Sequence, residues 1–339
     1  MRAYNDGRLG LKVDATFAIM QSIIDEKPIA VSIIILTKNG GKYLRSLLEG
    51  LYKQRGIGQA EVIIIDSGSS DDSLDVIAGF PDAILRQILP AEFGHGRTRN
   101  LGARLARGEY LVYLPQDATP ANPDWLAKLL RPFDDARVVG VYGRQIARAD
   151  ASAMESYFLS RTYHDQAETK VLDREEDASL ARCFFSTVSG AIRAATWKQH
   201  PFREDIIMSE DQAWASEVMR SGHAIAYAPG AEVLHSHQYS IASIFRRNFD
   251  SGYSIWQIFS GATGITPRRA LANLAGEAAF AARHGSVVDW LRFVPYEMAR
   301  HAGFWLGLRA DRLPVGLNRL CSDLKYFWDR GGGTRGARR

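Results

Sequence analysis

The sequence has few cysteines and no long apolar run. Cys183 and Cys321 are its two cysteines, and neither belongs to a C-x-x-C pair or a Cys/His cluster, which argues against a zinc site and a disulfide framework. No stretch approaches the roughly 18–20 apolar residues that a membrane-spanning helix needs. Acidic residues interrupt the apolar stretches near the start of the chain, unlike a secretory signal. These absences predict a folded protein of the reducing cytoplasm.

Three common motifs are missing as well. No G-x-G-x-x-G follows the first predicted strand, no G-x-x-x-x-G-K-[ST] occurs anywhere, and no nucleophilic serine elbow is present. The usual dinucleotide-binding, P-loop and serine-nucleophile interpretations therefore fail. The composition, with 46% apolar and 24% charged residues, is that of an ordinary globular protein.

The net charge is small but unevenly distributed. The whole chain carries a formal charge of +4, whereas the part from Ile241 onward has fifteen Lys and Arg residues against seven Asp and Glu residues. Such asymmetry is typical of proteins that meet an anionic surface, most often lipid headgroups or nucleic acid. The alternative is a solvated basic tail without a partner.

Strands and helices alternate along the chain. Continuous β-branched runs, typical of strands buried on both faces, are followed by segments with helical apolar spacing. The pattern predicts an α/β fold with a doubly wound, mostly parallel sheet flanked by helices. Predicted strands cover 29–36, 61–65, 84–88, 109–114 and 138–142, and predicted helices cover 42–51, 74–78, 97–106, 120–130 and 211–221. We expect an N-terminal extension over 1–28, the α/β domain over 29–240, and a helical, basic and aromatic region over 241–339.

Polar loops follow the predicted strands, at the edge where doubly wound sheets bind ligands. Thr37 and Asn39 follow the first strand, and Asp66 and Ser67 follow the second. An acid in the second loop can accept a hydrogen bond from a base N–H or a ribose hydroxyl. The alternative is a turn in which Ser and Asp cap the next helix.

Gln116 and Asp117 follow the fourth strand. A carboxylate at this edge can hold a hard divalent cation, which a diphosphate leaving group requires because the cation neutralises developing charge. The alternative is an Asp that caps the turn before the helix predicted over 120–130.

Two acids, Glu210 and Asp211, precede a helix with apolar spacing. In the functional interpretation one of them accepts the proton of an attacking hydroxyl, a contribution of about 10² to 10⁴ in rate. In the alternative they cap the helix.

Histidines and arginines complete the candidate site. His235 and His237 point the same way if the backbone is extended, which suits a metal or phosphate contact; the alternative is a pair of ordinary surface or core histidines. Arg97, Arg99 and Asn100 lie where a helix opens, where guanidinium groups and free amides favour a phosphate or an acceptor.

Five segments, taken in order, resemble the family 2 glycosyltransferases of the GT-A fold. They are VSIIILTKN, EVIIIDSGSSDDS, TRNLGARLARGEYLVYLPQDA, SGAIRAA, and SEDQAW followed by RSGHAIAYAPGAEVLHSH. The resemblance covers residues 30–240 and implies an inverting enzyme that transfers a sugar from a nucleotide-sugar donor in one in-line displacement. Its implied roles are nucleotide contact for Thr37, Asn39 and Asp66, binding of Mg²⁺ or Mn²⁺ on the diphosphate for Asp117 with His235 or His237, and proton removal for Asp211 with Glu210 beside it.

The sequence departs from the family pattern at two places. Ser67 replaces one of two acids after the second strand, and Pro115 and Gln116 stand where a D-x-D motif would begin. These features, with EFGHGRTRN and HSHQYS, resemble the bacterial rhamnosyltransferases. That resemblance implies a dTDP-L-rhamnose donor, a saccharide or lipid-linked acceptor, O-antigen-like polysaccharide synthesis, and no nucleic acid partner. The alternatives are a UDP-sugar donor, a sugar nucleotidyltransferase, and a non-catalytic binding protein of the same fold.

Aromatic residues recur in the C-terminal region. A stripe between Phe245 and Phe259 predicts a helix that packs on the α/β domain. A second aromatic and apolar group lies among arginines, the composition of an interfacial helix, and predicts peripheral attachment to the cytoplasmic face of the inner membrane. This group comprises Phe304, Trp305, Leu306, Leu308, Tyr326, Phe327 and Trp328.

Overall fold

The computed structural model describes residues 29–331, so the extension predicted over 1–28 and the last eight residues lie outside the described part. The described strands are β1 (Val31–Thr37), β2 (Ala60–Asp66), β3 (Ala83–Gln87), β4 (Tyr110–Pro115), β5 (Thr119–Pro120), β6 (Val138–Ile146), β7 (Glu168–Lys170), β8 (Gly190–Arg193) and β9 (Ala224–Leu234). The described α-helices are α1 (Gly41–Tyr52), α2 (Ser73–Ala78), α3 (His95–Leu105), α4 (Trp125–Leu130), α5 (Ala153–Thr162), α6 (Ala194–Gln199), α7 (Glu210–Arg220), α8 (Ile241–Phe259), α9 (Pro267–His284), α10 (Val287–Gly307), α11 (Val315–Cys321) and α12 (Lys325–Asp329).

All nine described strands belong to one mixed sheet, with the order β3-β2-β1-β4-β8-β6-β9-β5 and β7 paired to β9. The first four strands are parallel, as are β6 and β9, whereas β5, β7 and β8 run antiparallel to their neighbours. Helices flank this sheet, and further helices follow it at the C-terminal end. The predicted fold class is confirmed.

β1 lies where the strand order reverses. It pairs with β2 on one side and β4 on the other, and the register sets Thr37 opposite Asp66 and Leu36 opposite Pro115. The three carboxyl ends therefore reach the same level, and the loops after them surround one crevice. This is the place where open α/β sheets bind ligands.

β1 owes its position to its apolar sequence. Ile33, Ile34 and Ile35 have no exposed surface; the first and third pack into the core that contains α1, and the second packs into the core on the opposite face. Because side chains alternate along a strand, only a continuous apolar run can fill both cores. Each such side chain contributes about 1.5–3 kcal/mol on burial, so the strand ends that carry the polar loops are firmly held.

The helix predicted over 120–130 begins later than expected. Residues 119–120 form the edge strand β5, which pairs with the end of β9, and α4 starts only at Trp125. Proline fits an edge strand because it has no N–H to donate to a second neighbour. Asp117 is therefore too far from α4 to cap it, which removes the alternative interpretation of this carboxylate.

Helices α8 and α10 pack with their backbones in close contact. A Cβ added at Gly303 would lie 2.2 Å from the carbonyl oxygen of Phe245, and one at Gly307 would lie 2.1 Å from that of Phe249. Only glycine permits this approach. The aromatic stripe of α8 contributes buried side chains such as Phe249 and Tyr253. The division near residue 240 stays a prediction, although α8 begins at Ile241. None of the helices described between residues 29 and 331 has the length and hydropathy needed to cross a bilayer.

Candidate active site

Gln116 joins the loops that follow β1 and β4. Its amide oxygen accepts hydrogen bonds from the Thr37 hydroxyl at 2.8 Å and from the Lys38 backbone N–H at 2.7 Å. A carboxylate of a D-x-D motif would be free to hold a cation, whereas this neutral amide is engaged in holding two loops together. Gln116 thus shapes the floor of the crevice.

The loop after β2 is stabilised by its own acid. The buried carboxylate of Asp66 accepts from the backbone N–H groups of Gly68 and Ser69, each at 3.1 Å, and from the Ser69 hydroxyl. Ser67 donates its hydroxyl to the Thr37 carbonyl at 3.1 Å. On the facing loop, the Asn39 amide oxygen accepts from the Ser70 N–H at 2.8 Å. These residues form one rigid wall of the crevice, and their contact with a nucleotide stays a prediction.

Asp117, His235 and His237 form a cluster suited to a metal ion. His235 Nε2 lies 3.6 Å from Asp117 Oδ1, and His237 Nδ1 lies 3.8 Å from Asp117 Oδ2. One ligand atom from each of the three residues lies within 4.8 Å of the others. Arg148 fixes the Asp117 backbone, because its Nη2 donates to the Asp117 carbonyl at 2.6 Å. The residues predicted as metal ligands are therefore brought together.

The environment of His235 fits a metal ligand. Its Nδ1 lies 2.9 Å from the amide oxygen of Gln145, whose Nε2 donates to Ser186 at 3.1 Å and to Tyr163. His235 must then carry its proton on Nδ1, which leaves the Nε2 lone pair directed toward Asp117, the arrangement typical of metal-bound histidine. Burial lowers the pKa of His235 to about 4 and also lowers the pKa of His237. Both rings are neutral at pH 7, as ligands must be.

Gln145 offers the first prediction. We expect Gln145→Leu to weaken Mn²⁺ binding about 10- to 100-fold, because His235 loses the partner that orients its ring. The matched control is Gln54→Leu, since Gln54 is another buried glutamine, and its amide nitrogen donates to the Gly50 and Asn122 carbonyls rather than to a residue of the cluster. Both variants should lower the melting temperature, but only Gln145→Leu should shift the Mn²⁺ titration midpoint. Equal midpoints would contradict the positioning role of Gln145.

Asp211 lies at the start of α7, held on both carboxylate oxygens. Its Oδ2 accepts from the Thr187 N–H at 3.1 Å and the Thr187 hydroxyl at 3.2 Å, and its Oδ1 accepts from the Gln212 N–H at 2.9 Å. Burial is the main cause that raises the pKa of Asp211, and the neighbouring Glu210 adds to it. A raised pKa makes this carboxylate a stronger base. Thr187 follows Ser186 in the chain, so these two adjacent residues connect Asp211 to Gln145 and, through it, to the metal cluster.

Arg99 and Glu210 are engaged with each other in a buried ion pair. Glu210 is thereby neutralised, which distinguishes it from its neighbour Asp211 as a proton acceptor. Arg97 lies 3.5 Å from Glu204 and is half-exposed. Arg99 therefore lies near the base, and both of these predicted phosphate or acceptor contacts already have carboxylate partners.

Asn100 is buried, and its side chain connects α3 to the segment around Phe202. Its amide nitrogen donates to the Phe202 carbonyl at 2.8 Å and to Glu204 at 2.9 Å, and its amide oxygen accepts from Trp197 Nε1 at 2.9 Å and the Phe202 N–H at 3.0 Å. All its hydrogen-bonding capacity is used within the protein. Asn100 thus has no donor or acceptor left for a ligand.

Sequence analysis missed three residues of this site. Gln145 was not expected because β6 extends to Ile146, beyond its predicted end. Arg148 follows that strand. Arg247, on α8, is the third: burial is the main cause that lowers the pKa of His235 and His237, and the charge of Arg247 adds to it, so Arg247 lies close to the metal cluster. The only available signal was its place in a basic helix directly after the histidines.

Comparisons with known proteins agree with this geometry. The family model described as glycosyl transferase family 2 matches residues 32–182. The O-antigen chain rhamnosyltransferases RfbN of Salmonella typhimurium and WbaN of Salmonella anatum are each 28% identical to this chain, over 310 and 309 residues. Each alignment covers 88% of this chain, and it covers 96% and 95% of the respective relative. These matches support a glycosyltransferase of family 2. The nucleotidyltransferase and non-catalytic alternatives are left without support.

Solved structures place this glycosyltransferase in the GT-A fold. The mannosyltransferase PcManGT of Pyrobaculum calidifontis, solved in complex with GDP-Man and Mn²⁺, superimposes with a TM-score of 0.55 at 19% identity. The match covers 87% of this chain and 92% of that one. That neighbour binds a nucleotide sugar and a metal ion. The likeness at this identity concerns the fold alone.

Proposed function

We propose that this glycosyltransferase transfers L-rhamnose from dTDP-L-rhamnose to a hydroxyl of a saccharide or lipid-linked acceptor, at the cytoplasmic face of the inner membrane, in the synthesis of an O-antigen-like polysaccharide. The observation that carries the proposal is the cluster of Asp117, His235 and His237, connected through Gln145 and the adjacent residues Ser186 and Thr187 to a half-buried carboxylate, Asp211. The names of its two relatives from Salmonella support rhamnose as the sugar.

The chemistry divides between the two halves of the site. The acceptor hydroxyl oxygen attacks the anomeric carbon, its proton passes to the Asp211 carboxylate, and the bond between sugar and phosphate oxygen breaks with inversion. A divalent cation held by Asp117, His235 and His237 would neutralise the charge that develops on the diphosphate. Asp66, Thr37 and the loops beside them line the place for the nucleotide. Because the Arg99–Glu210 pair is neutral as a unit, it leaves Asp211 as the free acceptor of the proton.

Arg247 is suited to hold the diphosphate. Among residues 29–331 its guanidinium has no hydrogen-bond or ion-pair partner, although it is partly buried beside the metal cluster. An unpaired guanidinium in such a place favours a phosphate group, which it can bind with two parallel hydrogen bonds.

We expect Arg247→Gln to raise the KM for the donor about 10- to 100-fold, since a hydrogen bond to a charged group contributes about 1.5–3 kcal/mol. The control is Arg246→Gln, because the neighbouring Arg246 acts on Cys321 and Asp323 rather than on the histidines. Steady-state kinetics at saturating acceptor measures both variants. An unchanged donor KM in Arg247→Gln would remove this residue from the diphosphate site.

A thermal-shift panel tests the donor. The ligands are dTDP-L-rhamnose, dTDP-glucose, UDP-glucose, UDP-GlcNAc and dTDP, each with and without Mn²⁺. A ligand at 100 times its dissociation constant stabilises the fold by about 2.7 kcal/mol. We expect dTDP-L-rhamnose with Mn²⁺ to give the largest shift. A larger shift with a UDP-sugar would mean that the donor is a UDP-sugar and not dTDP-L-rhamnose. No shift with any nucleotide would overturn the assignment of the crevice as the nucleotide site.

A further inference from the structure

One face of α10 exposes large apolar side chains in a continuous row. Val287 is 75% exposed, Leu291 76%, Val294 61%, Met298 67% and Trp305 56%. Their spacing of four, three, four and seven residues places them on one side of a helix. We name these five residues the α10 face. Val288 and Trp290 extend it at the N-terminal end. A row of this length is more than scattered surface apolar residues would produce.

The α10 face differs from the group of residues that the sequence predicted to be interfacial. Of the seven residues predicted to be interfacial, Trp328 is buried, and Phe304, Leu306, Leu308 and Phe327 are partly buried in the packing of the C-terminal helices. Trp305 is the exposed member, with Arg309 stacked on its ring at 3.8 Å. The prediction therefore named mostly core residues, and the exposed apolar row begins further toward the N-terminus.

The exposed charges of α9 and α10 are of one sign. Within α9 and α10 the exposed charged side chains are Arg268, Arg269 and Arg283. The acids of these helices are withdrawn from the surface. Glu277 and Glu297 are buried against Arg300, and the half-buried Asp289 forms a capping box with Ser286. The two helices thus combine an apolar row with exposed arginines, and Asp289, bonded to Ser286, is their one partly exposed carboxylate.

We propose that the α10 face lies in the interfacial layer of an anionic lipid bilayer, with the helix parallel to the membrane plane. Apolar residues enter the boundary between headgroups and acyl chains, and arginines meet the headgroups. Trp290 and Trp305, near the two ends of the helix, suit the interface because an indole ring is apolar with one polar tip. A symmetric dimer through this face would bring the same basic rim against itself, which like charges oppose.

The location of α10 gives this contact a consequence for the reaction. The opposite side of α10 packs on α8 through Gly303 and Gly307, and α8 carries Arg247 beside the crevice. Two packed helices, α10 and α8, therefore separate the bilayer from the site. A lipid-linked acceptor held in the same bilayer would reach the crevice without leaving the membrane. The bilayer contact itself does not depend on which sugar is transferred.

Vesicle co-sedimentation of the full-length protein tests the proposal. We expect binding to vesicles with about 30% phosphatidylglycerol, weaker binding to pure phosphatidylcholine, and a loss on raising salt. The double variant Leu291→Asp/Met298→Asp should weaken binding to anionic vesicles at least tenfold. Both positions are exposed, so the fold should tolerate the change. The control is Leu105→Asp, because Leu105 is an exposed leucine at the edge where the strands begin.

Three outcomes would overturn the bilayer contact. The first is a wild-type protein that stays in solution with anionic vesicles at low salt, and the second is a double variant that binds as well as the wild type. The third is a wild-type dimer that the double variant converts to a monomer, without vesicle binding by either, which would make a second copy the partner. Transfer to a water-soluble acceptor should be equal in the wild type and the double variant, which separates a failure of this proposal from a failure of catalysis.

Discussion

Replacing Asp211 by Asn lowers kcat for sugar transfer by about 10² to 10⁴-fold, because the acceptor hydroxyl loses its proton acceptor. Asn keeps the size of the side chain and an oxygen for the hydrogen bonds from Thr187. The donor should bind with unchanged affinity, since Asp211 acts on the acceptor side. Burial raises the pKa of Asp211 in the folded protein, so its ionised form at neutral pH costs stability. The neutral Asn removes that cost but loses the hydrogen bond from the Gln212 N–H, so we expect a melting temperature close to that of the wild type.

The pH dependence gives an independent readout of the same residue. Asp211 must be ionised to accept a proton, so kcat/KM should fall as the pH drops through its pKa. Because that pKa is raised, the acid limb should lie above the value near 4 of an ordinary aspartate. The limb should vanish in Asp211→Asn. Glu217→Gln, on the exposed side of the same helix and paired with His200, is the control and should retain wild-type activity. A normal kcat in Asp211→Asn would exclude it as the base.

Asp117→Asn should reduce donor-dependent activity at least 100-fold and abolish the extra thermal stabilisation that Mn²⁺ gives to bound nucleotide. The variant removes the single anionic member of the cluster, and two neutral imidazoles alone hold a divalent cation weakly. Chelation of the wild-type enzyme should have the same effect. Mn²⁺ should restore more activity than Mg²⁺, because imidazole nitrogen suits transition metals and Mg²⁺ prefers oxygen ligands.

Asp124→Asn is the matched control for the metal site. Asp124 lies a few residues further along the chain, and it pairs with Arg55 on the surface. The Asp124→Asn variant should have the activity and the Mn²⁺ response of the wild type. Full activity of the wild-type enzyme in excess chelator would show that the cluster acts without a metal ion. In that case Asp117→Asn would still lose activity, but its nucleotide binding would be independent of Mn²⁺.

The sequence predicted the parallel part of the fold well because that part is encoded locally. The strands β1, β2 and β4 are continuous apolar runs that end in polar loops, so their position and their shared edge follow from pattern alone. The start of α4 was wrong because Pro120 is held by pairing with β9, more than a hundred residues away. A local pattern does not report such a pairing.

The candidate site was predictable to the same extent. Asp117, His235 and His237 stand at strand ends, and their types suit a metal, so their meeting could be expected. Gln145 and Arg247 act through contacts between distant segments, and neither belongs to a motif. Asn100 shows the opposite error: a polar residue in a suggestive motif proves to be saturated by internal hydrogen bonds.

The engagement of Gln116 with Thr37 and Lys38 sets the charge balance of the reaction. With one carboxylate and two neutral imidazoles, a bound divalent cation leaves the metal centre with a formal charge of about +1, where two carboxylates would cancel it. The nucleoside diphosphate that forms on transfer bears more negative charge than the donor. A centre with residual positive charge would favour this product over the donor, so we expect departure of the nucleotide, rather than the transfer itself, to limit turnover.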